Sequence, residues 1–314
     1  MPLKESSVPF LSAQDFPPGS LHAKTSLSFI SICRIFGDMG ENYRRGRMTE
    51  TRAAQLRNNL YAWVRELPPE LRLFRPGKAG VGRYHFASRQ MHIIFFTIVT
   101  VLSRKSRSTA GVSAGSVLAA SFTAAIFEEF LIRDEIRFLG PAIFKFFLLT
   151  AGITLIPSCR VPELREDSVR DLQTIRKALQ QFSQRYPSAL ATIHTLSTME
   201  QSQVNTATSS LDGHLSVEPE IKSLFTEFGP GLCRQWRLVE NLANVSQQTR
   251  QLQDPSLPSS MPMLSQNQDE VVPNVDQTDI NDGFDATGFN GPWPLEWTEL
   301  DDPMAWVMDD SAFD

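Results

Sequence analysis

Apolar residues recur along most of this 314-residue chain at the spacing of helices rather than of strands. Residues 49–67 give the clearest pattern, because their apolar positions share one helical stripe: Leu56, Leu60, Trp63, Val64 and Leu67. Thr49 is the predicted N-cap, and Pro68 and Pro69 end the helix. We therefore expect Trp63 to anchor this helix in the core.

Other segments have a similar length and apolar content. They lie at residues 24–43, 85–103, 114–133, 138–156, 190–199, 220–228 and 232–245. Ser168 and Asp171 have the spacing of a capping box, which predicts that a further helix begins at Ser168. Residues 200–219, rich in Ser, Thr and Gln, are predicted to be a loop. Together these patterns predict an all-α fold, a multi-helix domain over residues 20–250.

Both ends of the chain differ from this middle part. Residues 1–19 are predicted to be disordered, and residues 251–314 are predicted to be a disordered acidic tail. The tail contains 14 acidic residues and no Lys, Arg or His, which leaves 21 acidic and 30 basic residues, a charge of +9, in residues 1–250. Such a division favours a solvated tail that meets basic or hydrophobic partners.

The tail also carries large apolar side chains among its carboxylates. Trp293, Trp297, Leu300 and Met304 fall at i, i+4, i+7 and i+11, so a short helix formed on a partner would align them. This composition is typical of an acidic activation segment. The predicted partner-binding residues are Phe284, Phe289, Trp293, Trp297, Leu300, Met304, Trp306 and Phe313. The alternative is that these aromatic residues dock on the basic part of the same chain.

Composition and cysteine spacing narrow the class of protein. With 41% hydrophobic and 21% charged residues, the chain resembles an ordinary globular protein. Cys33, Cys159 and Cys233 are too far apart to indicate a disulfide framework or a zinc site, so a reducing compartment is expected. The first 19 residues contain no apolar run of the kind found in secretory signals.

One apolar segment, residues 138–156, has about the length of a membrane span. Its central Lys145 would cost about 2.5 to 3.5 kcal/mol in a bilayer, which favours a buried core helix instead. We therefore expect no membrane contact, and a membrane-associated helical protein remains the alternative.

A second alternative is a serine hydrolase, because residues 111–115 read GVSAG and match the GxSxG nucleophile elbow. Ser113 would be the nucleophile, with Asp171 and His194 as its partners. The elbow requires a strand before its first glycine, whereas residues 103–110 are polar and basic. The pattern therefore favours a loop of small residues that opens a helix, and we expect no enzyme activity.

Two other groups of residues suggest binding chemistry. His85 and His92 are seven residues apart and could face one metal ion, but no third ligand accompanies them, so packed or surface histidines are favoured. Small basic clusters have the charge to contact nucleic acid or an import receptor, but they lack a recognition helix and are interpreted as solvated surface. These clusters are Arg44, Arg45 and Arg47, and Arg104, Lys105 and Arg107.

Four stretches of the chain carry a resemblance to a known family. They are SFISICRIFGDMGENYRRG (28–46), LRNNLYAWVRELPPELRLF (56–74), YHFASRQMHIIFFTIVTVLSRK (84–105), and the pair AASFTAAIFEEFLI (119–132) and FLGPAIFKFFLLTAGITLI (138–156). In order and apolar spacing they resemble the fungal-specific transcription factor domain, the regulatory part of binuclear zinc cluster factors. The resemblance covers residues 20–245.

The resemblance implies a nuclear regulator, whereas without it the residues predict a cytoplasmic protein. The expected partners are a coactivator or another protein, bound through the C-terminal tail, and a second copy of the chain in a homodimer. The six cysteines that hold two zinc ions in that family are not found here. We therefore expect no cofactor in this chain, zinc only in a separate or missing N-terminal cluster, and no sequence-specific DNA binding by this chain alone. A truncated member, a fragmentary gene model and a regulator that never binds DNA are all consistent with this pattern.

Overall fold

Helices account for the regular structure in the computed structural model, which describes residues 12–17, 19–75, 80–104, 113–205 and 219–239. The described residues belong to one compact unit. Its α helices include α1 (Leu21–Arg44), α2 (Glu50–Glu66), α3 (Phe86–Leu102), α4 (Ala114–Ile132), α5 (Pro141–Ser158), α6 (Arg165–Arg185), α7 (Ala189–Asn205) and α8 (Pro219–Phe225). Residues 237–239 are also helical. No strand occurs in these ranges, and one isolated bridge joins Phe74 to Val81. The all-α prediction is confirmed for this part of the chain.

Helix α4 lies at the centre of the unit. Its residues Ala114 to Phe127 are all buried, and it packs against α3, α5 and α6. A helix that is apolar on every face is stable only when neighbours cover all of those faces. Helices α1 and α7 pack outside this group, α1 on α3 and α7 on α5 and α6.

Helix α2 confirms the clearest pattern in the sequence. The Thr49 hydroxyl caps it by accepting a hydrogen bond from the Arg52 backbone N–H at 3.2 Å. Every apolar residue of its predicted stripe is buried. Trp63 stacks on Phe95 with ring centroids 5.7 Å apart and donates a hydrogen bond from Nε1 to the Ser28 carbonyl at 3.0 Å. Trp63 therefore lies in the core, as predicted.

The predicted start of α6 at Ser168 is wrong. The helix begins at Arg165, three residues earlier, and Leu164 occupies the N-cap position without a side-chain hydrogen bond. Ser168 and Asp171 are both buried on the inner face of α6. Their side chains bond to residues far away in the sequence instead of capping the helix.

Other boundaries differ less from the predictions. Helix α7 continues to Asn205, so the predicted loop begins later than residue 200, and residues 206–218 lie outside the described ranges. Helix α5 begins at Pro141 after a separate 3-10 turn at Ile136–Phe138. A second 3-10 turn, Ala13–Asp15, lies within the N-terminal segment that was predicted to be disordered. The helix predicted from residue 232 begins later: Pro230–Leu232 form a 3-10 turn, residues 237–239 are helical, and residues 240–245 are not described.

Candidate functional site

The predicted partner-binding residues of the tail, Phe284 to Phe313, lie outside the described residues, as does the whole of segment 251–314. Their role as an activation segment stays a prediction. The remaining sequence candidates lie wholly or partly in the described body and can be placed.

Ser113 is the N-cap of α4. Its Oγ accepts a hydrogen bond from the Ser116 backbone N–H at 3.3 Å. Asp171 is buried and pairs with Arg234, whereas His194 is exposed on α7. A hydrolase triad requires the carboxylate to orient the histidine, and Asp171 here orients an arginine instead. Ser113 therefore opens α4 as its N-cap, and Ser113, Asp171 and His194 are not arranged as a hydrolase triad.

The two predicted histidines lie at the N-cap of α3 and within it, and they make different hydrogen bonds. His85 is the N-cap of α3, and its Nδ1 accepts from the Ser88 backbone N–H at 3.3 Å. His92 is fully buried, and its Nδ1 donates to the Ser88 carbonyl at 2.8 Å, which leaves Nε2 as an unprotonated acceptor. Burial lowers the pKa of His92 to about 4, so the ring is neutral near pH 7. Within the described ranges, no three His, Cys, Asp or Glu residues are grouped as a metal site.

The basic clusters are only partly described. Arg44 and Arg45 both pair with Glu41 on the surface of α1, and Lys105 and Arg107 fall in an undescribed segment. Pairing with a carboxylate reduces the positive potential that these two arginines would offer to a phosphate backbone.

The strongest concentration of buried polar groups was not predicted from the sequence. It lies where residues 219–239 pack on α4 and α6, and we call it the C-terminal seam. One half of the seam is aromatic. Phe228 lies 5.1 Å from Phe96, and Phe225 and Trp236 flank Phe122 with ring centroids at 6.0 and 6.1 Å.

The other half of the seam is ionic. Arg234 donates from Nη1 to Asp171 Oδ1 and from Nη2 to Glu128 Oε2, both at 2.5 Å, so one guanidinium joins α6 to α4. Arg237 pairs with Asp167 at 3.2 Å. These bonds fix residues 234–237 on two helices at once.

A neutral network continues the seam inward. Gln235 Nε2 donates to the Leu164 carbonyl at 3.0 Å and to Ser168 Oγ at 3.1 Å. The Ser168 hydroxyl also hydrogen-bonds with that of Ser158, 2.7 Å away. The first turn of α6 is therefore held by Gln235 rather than by a cap of its own.

Burial controls the electrostatics of the seam. Loss of hydration raises the pKa of Asp171 to about 6, against the opposing effect of Arg234. Arg234 also pairs with Glu128, and Asp171 Oδ2 makes no hydrogen bond within the described residues. The ion pair between Arg234 and Asp171 therefore only partly compensates for the lost hydration of the Asp171 carboxylate. The Ser121 hydroxyl also lowers the pKa of Asp171, although Ser121 Oγ makes no hydrogen bond of ordinary geometry there.

The seam is not arranged for nucleophilic chemistry. Burial raises the pKa of the Cys233 thiol to about 12, so Cys233 remains protonated and unreactive near neutral pH. The ion pairs of Arg234 and Arg237 can instead fix residues 234–237 on the helical body. The sequence signal for the seam was an aspartate, Asp171, on the apolar stripe of α6.

Helices α4 and α5 are long and apolar enough to cross a membrane by length and composition alone. Within the protein, 78% of the apolar window of α4 is buried, and 56% of that of α5. Lys145 of α5 donates to Ser188 Oγ at 2.6 Å, which gives its ammonium group a polar partner near the surface.

Comparisons with protein-family models, with curated proteins and with solved structures found no match.

Proposed function

We propose that this protein is a transcriptional regulator in which a helical regulatory domain carries an acidic activation tail. The observation that supports the proposal most strongly is the composition of residues 251–314, where aromatic side chains stand among 14 carboxylates without one basic residue. Aromatic residues interspersed with like charges are the composition of a segment that binds a groove on a partner. The helical body agrees with the fold that the family resemblance implies.

Within this proposal, the aromatic residues of the tail supply most of the binding energy. Burying a tryptophan or phenylalanine ring removes a large apolar area from water, whereas exposed carboxylates mainly steer the encounter. The partner is a coactivator or another protein with an apolar groove and a basic rim. The protein acts in the nucleus, and a homodimer of the helical body is compatible with this role.

The C-terminal seam has a place in the same proposal. Arg234 and Arg237 hold residues 234–237 on α4 and α6, so these residues have a fixed position on the body. A fixed starting point limits the volume that a tethered segment explores and so raises its effective concentration near a partner of the body.

The proposal is tested by fusing the full chain to a foreign DNA-binding domain and measuring a reporter gene in the nucleus. The fusion should activate, and the same fusion that ends at residue 250 should be silent at equal protein level. Equal activation by the two fusions would place the activity in the body and refute the proposed role of the tail.

This chain alone is not expected to bind a specific DNA sequence, because its three cysteines do not form the six-cysteine cluster that holds zinc in the resembled family. A net charge of +9 on residues 1–250 gives only diffuse attraction to phosphates. Footprinting at about 150 mM salt, where weak electrostatic binding is screened, should protect no site. A discrete footprint would contradict this part of the proposal.

A membrane-associated protein is the second candidate, and it rests on the length and apolar composition of α4 and α5. Carbonate extraction of cell membranes separates the two candidates. The regulator should be released into the soluble fraction, and a spanning protein should remain in the pellet.

A further inference from the structure

A surface turn at the end of α4 combines exposed apolar side chains with arginines. Helix α4 ends at Ile132, and the chain passes through residues 133–135 into the 3-10 turn Ile136–Phe138. Ile132 is 80% exposed and Phe138 is 55% exposed, whereas most large apolar side chains of the described body are buried. Two such side chains on one turn form a small apolar surface.

Next to this turn lies a half-open groove of about 270 Å³ between the turn and the end of α6. Its apolar lining includes Ile136 and Phe182, both buried, and its polar lining includes Asp134, Arg137, Gln181, Gln184, Arg185 and Tyr186. Pockets for whole small molecules usually exceed about 300 Å³. The groove therefore has room for one large aromatic side chain.

The walls of the groove are tied together. Gln181 Nε2 donates to Asp134 Oδ1 at 2.9 Å, and Arg185 Nη1 donates to the Arg137 carbonyl at 3.3 Å. Asp134 adopts a positive φ of 57°, an uncommon conformation for a residue other than glycine, which these bonds help to hold. The groove is thus formed before any ligand arrives, which reduces the ordering cost of binding.

The charge around the groove favours an acidic ligand. Arg133, Arg137 and Arg185 stand against two carboxylates. Asp134 pairs with Arg137 at 3.4 Å, and Glu135 accepts a hydrogen bond from the Tyr84 hydroxyl, so the three arginines leave a small positive excess. The three guanidinium groups lie over the rings of Tyr84, Phe138 and Tyr186, at 3.8, 4.8 and 5.5 Å from the ring centroids. A stacked guanidinium keeps its N–H groups at its edge, where a carboxylate can accept them.

We propose that this surface, the α4–α6 groove, binds an acidic peptide through one aromatic side chain. The ring enters the groove over Ile136 and Phe182, and neighbouring carboxylates pair with Arg137 and Arg185. Such an arrangement has the usual form of a protein interface, with an apolar anchor inside a polar rim. This proposal is independent of the function proposed for the tail.

Fluorescence anisotropy with the full chain tests the proposal. The probe is a labelled peptide of about twelve residues with one tryptophan among aspartates, and its matched versions replace the tryptophan by alanine or the aspartates by asparagine. We expect each replacement to weaken binding at least about tenfold, as loss of an anchor or of its charge partners does. Equal binding of either matched peptide would overturn the proposal.

Protein variants locate the binding surface. Replacing Arg137→Gln and Arg185→Gln together should weaken the acidic peptide at least about tenfold, and Phe138→Ser should also weaken it. The matched control is Arg44→Gln with Arg170→Gln, two exposed arginines with the same change of charge elsewhere on the body. Unchanged circular dichroism and urea midpoints show that the variants fold.

Two results would overturn the assignment at this stage. One is an equal loss of binding in the control variant, which would indicate general charge attraction. The other is tighter binding of a single-stranded oligonucleotide than of the peptide, which would indicate a nucleic-acid surface instead.

Discussion

Replacing Asp171 by asparagine tests the electrostatics of the C-terminal seam. Asp171 is completely buried, and burial raises the pKa of its carboxyl from 3.8 to about 6 despite the bond from Arg234. Asparagine has nearly the same shape and cannot ionise. The variant therefore removes one titration from the core while keeping an oxygen that can accept from Arg234.

The size and sign of the effect follow from the two pKa values. Between about pH 6 and pH 4, the folded protein holds a proton on Asp171 that the unfolded chain releases, so this group stabilises the fold as the pH falls. One pKa unit corresponds to about 1.4 kcal/mol, and the shift from 3.8 to about 6 gives about 3 kcal/mol. At pH 4 the unfolded carboxyl is already partly protonated, so not all of this shift is sampled. The free energy of unfolding of Asp171→Asn, relative to that of the wild type, should thus be about 2 to 2.5 kcal/mol larger at pH 7 than at pH 4.

Urea unfolding of both proteins at several pH values between 4 and 7 measures this difference. The carboxylates of the tail are the same in both proteins, so their contribution cancels. A difference in unfolding free energy that does not change with pH would show that the pKa of Asp171 is not shifted. A difference that runs in the opposite direction would show that attraction to Arg234 outweighs burial.

Three further predictions concern the core. Because the pKa of His92 is lowered from 6.5 to about 4, the free energy of unfolding should fall by about 3 kcal/mol as the pH drops through that range. His92→Asn should remove this pH-dependent loss, which urea unfolding at several pH values measures. A profile that the substitution leaves unaltered would contradict the buried neutral ring. Trp63→Ala should cost about 3 to 5 kcal/mol. Trp63→Phe keeps an aromatic ring but loses part of the indole and the bond to the Ser28 carbonyl, so it should cost less than Trp63→Ala. Equal melting temperatures for wild type and Trp63→Ala would refute the core position. Gly37→Ala should stabilise α1 by about 0.5 to 1 kcal/mol, because its Cβ meets no atom within 4 Å. Gly115→Ala should destabilise the protein, because its Cβ would lie 2.6 Å from the Ile221 side chain. A gain in thermal stability at both sites would show that the Ile221 side chain can move aside without an energetic penalty.

Features that depend on neighbours in the sequence were predictable. The stripe of α2, its Thr49 cap and its end before Pro68 are set by residues within one helix, and the structure has them as predicted. The GVSAG loop was likewise placed at the start of a helix because the residues before Ser113 lack the pattern of a strand. In both cases the deciding interactions span a few residues.

The seam could not be predicted in the same way. Ser168 and Asp171 have the spacing of a capping box, but their partners Gln235 and Arg234 lie 67 and 63 residues further along the chain. A local sequence pattern does not reveal which distant residues lie nearby in the fold. In the structure, Ser168 and Asp171 bond to these distant partners and do not form the predicted helix cap. The position of Asp171 on the apolar stripe of α6 was the one local sign of a buried polar partner.

The α4–α6 groove was missed for a related reason. Two residues that line it, Ile136 and Tyr186, are fifty residues apart in the sequence. In addition, the sequence pattern predicted a single helix that begins at Phe138 and continues to residue 156. The separate 3-10 turn at Ile136–Phe138 leaves Phe138 exposed beside the groove. Sequence periodicity assigns such a residue to a helix and does not show its exposure.

The central claim concerns the tail, and reporter activation by residues 251–314 fused to a foreign DNA-binding domain tests it most directly. The wild-type fusion should activate. Changing Trp293, Trp297 and Trp306 together to alanine should abolish activation, because aromatic burial supplies most of the association energy. Replacing Asp301 and Asp302 by asparagine should only weaken it. A silent wild-type fusion, or one that is indifferent to the three tryptophan changes, would contradict the account.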